Sequence, residues 1–349
     1  MNPAPPMPPE LAPFQTRWNT FADKIRARIK EVEAEANAAY KEVIAIDVLQ
    51  GTGVNGVSNA LKARLQGLDD KIDEAWSKLD GEMDNVEYAD DRAASIYRAH
   101  MLSQKAAFER EVERITETII VYGEAEAARA LQAVAMKEAD APLACQQCGA
   151  PLKRPSWCDT VNVTCSSCRA VTTSTPGTAG MMFAKGSGAI ALACEAALPA
   201  WYAKQDAEHL WHSLRHKTLE DLQRWEAANR NYWQVFAETM AKYMPSWTQQ
   251  TVADEVRGKM SQFMMHDAQV DRVDRENMSA GIAAGCSNDP NQVMAWLGRQ
   301  RDSDSKREEL VNAFLERGWR DHARWIAQIS GMDGEALADC EYYFACRGD

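Results

Sequence analysis

The sequence predicts a mostly α-helical chain: an elongated antiparallel helical bundle of coiled-coil character, a small internal cysteine-rich insert, and a second, Trp-rich helical domain. Three observations lead there. Apolar residues recur at alternating four- and three-residue steps through the first 140 positions; two Cys-x-x-Cys pairs lie between residues 145 and 168; and eight of the eleven tryptophans fall after residue 200.

Residues 1–13, "MNPAPPMPPELAP", form a Pro-rich lead that reads as disordered, and they lack the cationic-then-apolar order of a secretory signal or transit peptide. The first seam is Trp18, Ala22, Ile25, Ile29, Val32, Ala36, Ala39, Val43 and Ile46, a spacing that holds one stripe on one side of a helix. "GTGVNG" at 51–56 breaks it, and Ser58 is the expected cap of a second run with seam Leu61, Leu65, Leu68, Ile72, Ala75 and Leu79. A third run opens near Tyr88 and carries Phe108, Val112, Ile115, Ile119 and Tyr122 at the same spacing, with Pro142 closing it. Residues 14–140 are therefore expected to form the bundle.

Residues 141–176 hold the cysteine-rich insert. Cys145 and Cys148 make one CxxC and Cys165 and Cys168 another, with 16 residues between the inner pair, which lets two knuckles face each other around a tetrahedral ion. "TVNVTC" is the one clear β signal. "CQQCGAPL" and "VTCSSC" resemble the C4 zinc-ribbon family over about 30 residues. The resemblance implies a zinc-ribbon fold, with Cys145, Cys148, Cys165 and Cys168 as zinc ligands, and implies no activity. Arg169 stands where that family often has Gly. Four thiolates would close the coordination shell, so the expected role is structural. Cys158 is extra: a bystander thiol, or else a substitute ligand or redox trigger for zinc release.

Residues 177–349 read as the second helical domain. The most apolar stretch, 180–203, is interrupted by Lys185, a Gly-Ser-Gly break, Glu195 and Pro199, which favours a buried core helix over a membrane-touching hairpin. Trp201, Trp211, Trp225, Trp233, Trp247, Trp296, Trp319 and Trp325 require packing. Asp289 is a helix N-cap with Pro290 in its first turn, and Gly331 and Gly334 punctuate the last helices.

The charge balance narrows the function. A formal net charge of -12 without a basic block makes nucleic acid an unexpected partner, and an odd cysteine count with paired CxxC motifs fits a reducing, cytoplasmic setting. Gly51, Gly53 and Gly56 satisfy the dinucleotide fingerprint, yet the seam runs through Val43 and Ile46, so a hairpin turn is the better account. His209, His212 and His216 sit at helical spacing with Glu220 one turn on; they form either a polar outer face or a second metal site. Cys286 in "SAGIAAGCSNDP" reads as a helix C-terminus and turn. The expected function is a non-enzymatic cytoplasmic scaffold or adaptor that binds a protein partner or its own copy. The alternatives are an enzyme with a metal or small-molecule site in the C-terminal helical domain, and a membrane-active helical protein using 180–203.

Overall fold

A computed structural model describes residues 5–49, 52–267, 272–300 and 302–347. It is mostly helical, as expected. Three long helices, α1 (Ala12–Asp47), α2 (Thr52–Met83) and α3 (Asp91–Ala139), pack on one another; a ribbon of four short strands follows, then nine further helices among the described residues. Gly51 of the glycine motif and residues 1–4 of the lead lie outside the described residues; from Pro9 the lead is already helical, and Leu11 is fully buried in the first core.

The α1 seam holds from Trp18 to Ala36 and then shifts. Tyr40 is buried in place of Ala39, and Ile46 is 76 % exposed. Three successive four-residue steps, Val32–Ala36–Tyr40–Ile44, rotate the stripe so that the Tyr40 ring lies over Gly123 of α3, the one residue type small enough to admit it. Gly123 takes that contact, so the expected Tyr122 points outward. On α2, Trp76 replaces the expected Ala75 because its indole meets the Trp18 edge at 5.2 Å, while Phe108 of α3 meets the same ring at 6.1 Å. Aromatic edge-to-face contacts of this kind add about 0.5–1.5 kcal/mol beyond burial.

Ser58 is not a helix cap. α2 already begins at Thr52, and Ser58 is buried in its interior, where Tyr40 Oη lies 2.8 Å from its Oγ and that hydroxyl donates to Glu124 Oε1 at 2.8 Å. This chain ties α1, α2 and α3 together where the hydrophobic seam thins. Asp90 caps α3 by accepting from the Ala93 amide.

α3 is shared by two cores. Its first half, through Tyr97, Phe108, Val112 and Ile119, completes the core of α1 and α2; its second half, through Ala125, Ala128, Leu131 and Ala135, packs against α4 (Thr178–Lys185), α5 (Gly188–Ser213) and the end of α6 (Leu219–Tyr243). α6 also packs on α7 (Gln249–Asp267) through Ala237, Val252, Val256 and Met260. The last core joins α8 (Arg272–Cys286), α9 (Pro290–Leu297), α10 (Ser303–Glu316), α11 (Arg320–Ser330) and α12 (Gly334–Arg347) around Trp296, Leu310, Phe314 and Ile326. α12 returns to α3, where Arg92 donates to the Ala338 carbonyl at 2.8 Å and stacks over Tyr342.

The apolar stretch is buried, as expected, but Pro199 does not break it: α5 runs through it, with Ala189, Leu192, Ala193, Ala197 and Leu198 all in the interior. No single helix among the described residues is long and apolar enough to cross a membrane; α4 and α5 meet that measure only as a pair, bent by 49°. Asp289 and Pro290 start α9, and Gly331, at φ 72°, ends α11 as a left-handed cap.

The corner between α5 and α6 is pinned by charge. Thr218 and Asp221 form a reciprocal capping box, and Arg317 at the end of α10 reaches Asp221 Oδ2 at 2.5 Å and the His216 carbonyl at 3.0 Å. Glu316 accepts from the Arg215 and His216 amides at 3.2 and 3.0 Å.

Candidate metal centre

The ribbon consists of two hairpins built to one plan. β1 (Leu143–Ala144) pairs antiparallel with β2 (Pro151–Leu152), and β3 (Val161–Thr164) pairs antiparallel with β4 (Val171–Ser174). In the first knuckle the Cys145 amide donates to the Ala150 carbonyl at 2.8 Å, and the Gly149 amide to the Cys145 carbonyl at 2.9 Å. The second repeats this with Cys165 to Ala170 at 2.8 Å and Arg169 to Cys165 at 2.9 Å. Both turns need a left-handed residue after the second cysteine. Gly149 supplies it at φ 73°, and Arg169 at φ 62°. The departure at Arg169 therefore leaves the turn intact and costs about 1–2 kcal/mol of backbone strain. The Gln146 amide donates to Thr172 Oγ1 at 3.3 Å and links the first knuckle to β4.

The four sulfur atoms of Cys145, Cys148, Cys165 and Cys168 all lie within 4.8 Å of one another. Across the knuckles Cys145 Sγ is 3.6 Å from Cys168 Sγ, and Cys148 Sγ is 3.7 Å from Cys165 Sγ. A tetrahedral ion with metal–sulfur bonds of about 2.3 Å sets its ligands about 3.8 Å apart, so the cluster fits a metal ion such as zinc. The electrostatics agree. The Cys148 and Gln147 amides lower the Cys145 thiol to about 6, and the Cys168 and Ser167 amides lower Cys165. At Cys168 the Ala170 amide pulls down, but the Cys148 thiol, burial and the other two thiols outweigh it and push the group up to about 12. The raised Cys168 group favours its protonated thiol, and a divalent cation would displace that proton on binding.

The ribbon is fixed to the helices by the loop between its knuckles. Trp157 meets Phe183 of α4 at 4.9 Å, and the Trp157 carbonyl lies so close to Gly180 that no side chain fits there. Cys158 is 3 % exposed, donates its amide to Ser156 Oγ and faces the Tyr243 carbonyl; burial pushes its thiol up. It packs as a small apolar side chain in the core shared with α3 and α6 and stands apart from the four-sulfur cluster. Arg154 donates to the Thr175 carbonyl at 2.6 Å, and Glu138 of α3 accepts from the Ala179 amide at 2.9 Å, holding the start of α4.

The three histidines are not brought together. α5 ends at Ser213 because Leu214 is extended, so His216 leaves the helix face and its Nδ1 lies 3.0 Å from Glu316 Oε1. His212 is edge-on to Trp225, and His209 borders an open groove with Asp69, Glu109, Glu113 and Glu117. Among the described residues the four cysteines are the one group of three or more potential ligands within mutual reach. Cys286 is exposed at the end of α8, ahead of the turn through Asn288. Sequence reasoning missed Glu138, Thr172, Arg317 and Glu316; only the T-x-x-D pattern of Thr218–Asp221 carried a local signal. Comparison with family models, curated proteins and solved structures gives no match, so the centre is read from its own geometry.

Proposed function

We propose that the protein is a non-enzymatic scaffold or adaptor in which zinc, held by Cys145, Cys148, Cys165 and Cys168, rivets the ribbon to the junction of α3, α4 and α6. The observation that carries the reading is a cluster of four cysteine sulfurs within 4.8 Å of one another, whose connecting loop, through Trp157 and Cys158, is built into a helical core. The bound ion supplies charge neutralisation and cross-linking of the two knuckles. The chain's own groups do the rest: the Gln147, Cys148, Ser167 and Cys168 amides favour anionic sulfur, and Gly149 and Arg169 turn the backbone so those amides converge. With all four positions taken by sulfur, no site for water or substrate remains on the ion. The partner is another protein or a second copy, and a reducing cytoplasmic setting keeps the thiols available.

Elemental analysis with cobalt substitution tests this. The expected result is one zinc per chain, lost in a Cys165→Ser/Cys168→Ser variant, and a cobalt form with a tetrathiolate spectrum that azide and imidazole leave unchanged. A spectrum that shifts on adding either ligand reveals an open position and sinks the structural role. Light scattering after size exclusion then assigns the partner: a strict monomer rules out self-association.

A further inference from the structure

The two cross-knuckle sulfur contacts carry a consequence for oxidation. Cys148 is exposed, whereas Cys145 and Cys165 are buried and Cys168 is intermediate. Cys148 Sγ lies 3.7 Å from Cys165 Sγ on the opposite knuckle and Cys145 Sγ 3.6 Å from Cys168 Sγ, within a cluster whose four sulfurs are all within 4.8 Å of one another, so both cross-knuckle pairs are within reach of a disulfide. Cys158, the one further thiol in the ribbon, is packed in the helical core and lies outside the four-sulfur cluster.

We propose that the cluster is a peroxide-responsive clip that exchanges its metal for two cross-knuckle disulfides, Cys148–Cys165 and then Cys145–Cys168, and so keeps the ribbon closed after the ion leaves. The inference rests on the metal-site reading above. In the first step the Cys148 thiolate attacks hydrogen peroxide; an S–O bond forms, the O–O bond breaks, and the departing hydroxide takes a proton to become water. The Cys165 thiolate then attacks the Cys148 sulfenic sulfur; the S–S bond forms and hydroxide leaves as a second water after protonation. The second pair repeats the sequence with a second peroxide. Two peroxides, four protons and four thiolates give two disulfides and four waters, and the divalent cation is released because no anionic sulfur remains to hold it. Both bonds join the hairpins β1–β2 and β3–β4, so the reacted ribbon retains the pairing that the ion enforced. Within-knuckle disulfides would instead leave the hairpins unlinked.

Tryptic mapping reads the outcome directly, because trypsin cuts after Lys137, Lys153 and Arg169 and spares Arg154–Pro155. The full-length zinc-loaded protein is titrated with hydrogen peroxide, released zinc is followed with a chromogenic chelator, and remaining thiols are alkylated before digestion. The expected result is stoichiometric zinc release, with peptides 138–153 and 154–169 linked and fragment ions assigning Cys148–Cys165 and Cys145–Cys168. Separate peptides, each lighter by two hydrogens, overturn the proposal, as does a bridge to Cys158 or zinc retained once all four thiols are consumed. A protein that binds no zinc overturns the metal reading and the exchange with it, whereas zinc binding followed by within-knuckle or Cys158 bridges overturns the clip and leaves the metal reading standing. Oxidation in urea is the control, where loop closure favours the short within-knuckle bonds.

Discussion

Gly123→Ala should destabilise the α1–α2–α3 core, although alanine is the better helix former. In an open helix position the exchange gains about 0.5–1 kcal/mol. At Gly123 the new methyl group would fall 2.6 Å from Tyr40 Cζ and closer still to Cδ2 and Cε2, and the ring has no room to retreat because Tyr40 is 2 % exposed. Overpacking of this kind costs about 1–3 kcal/mol. Displacing the ring also breaks its bond to Ser58 and leaves a buried hydroxyl short of a partner, a further loss of about 1–3 kcal/mol. The net is a destabilisation of about 1–5 kcal/mol. Gly67→Ala is the matched control, because nothing lies within 4 Å of the added methyl; it should stabilise by about 0.5–1 kcal/mol. Urea unfolding followed by circular dichroism and by tryptophan fluorescence measures both, and the loss at Gly123 should shrink in a Tyr40→Val background. If Gly123→Ala proves neutral or stabilising, the close crossing of α1 and α3 is refuted.

Arg169→Gly should stabilise the metal-loaded protein by about 0.5–1 kcal/mol in chemical denaturation, since glycine adopts φ 62° without strain, and Gly149→Ala should cost about 1 kcal/mol; equal effects at both would contradict the paired-knuckle geometry. Arg317→Met should cost about 1–3 kcal/mol in chemical denaturation, because it removes the 2.5 Å contact to the buried Asp221 carboxylate and leaves it only the more distant Arg224 and the Thr218 cap; no loss would contradict the pinned corner. The Glu316 carboxyl is raised by burial, but the His216 ring and the Arg215 and His216 amides more than offset this and hold it below its ordinary value of 4.5. Its contribution is therefore present above about pH 4.5 and lost as pH falls through the depressed folded value; an acid titration of stability should show that loss in the wild type and not in Glu316→Gln.

What the sequence made legible followed from range. The four clustered cysteines were readable because both turns are local and the spacing within each is set by backbone geometry, and Cys158 fell outside the set once its burial was seen. The seams of α1 and α2 were readable up to the point where a distant residue intervened: Tyr40 is selected by Gly123, 83 positions away, and Trp76 by Trp18. His216 failed as a helical neighbour of His209 because the helix stops at Ser213, and what stops it is a loop held by Glu316 and Arg317 from another element. Periodicity carries no trace of such pairings. The Ser58 cap failed for a related reason: a small polar residue reads the same at a helix start and in a buried crossing.

The shared helix α3 sets a rule for length variation. Its 49 residues span about 73 Å, with one core seated on residues up to Ile120 and the next from Ala125. Removing a single residue between them would turn everything downstream by about 100° and draw it about 1.5 Å closer, swinging the ribbon and α4 off their footing. Inserting seven would return the face to within about 20°, at the cost of about 10 Å of added separation. The joint thus works like a screw thread: insertions and deletions there are tolerated by phase rather than by size, and a length series through this segment would show stability rising and falling with the helical repeat.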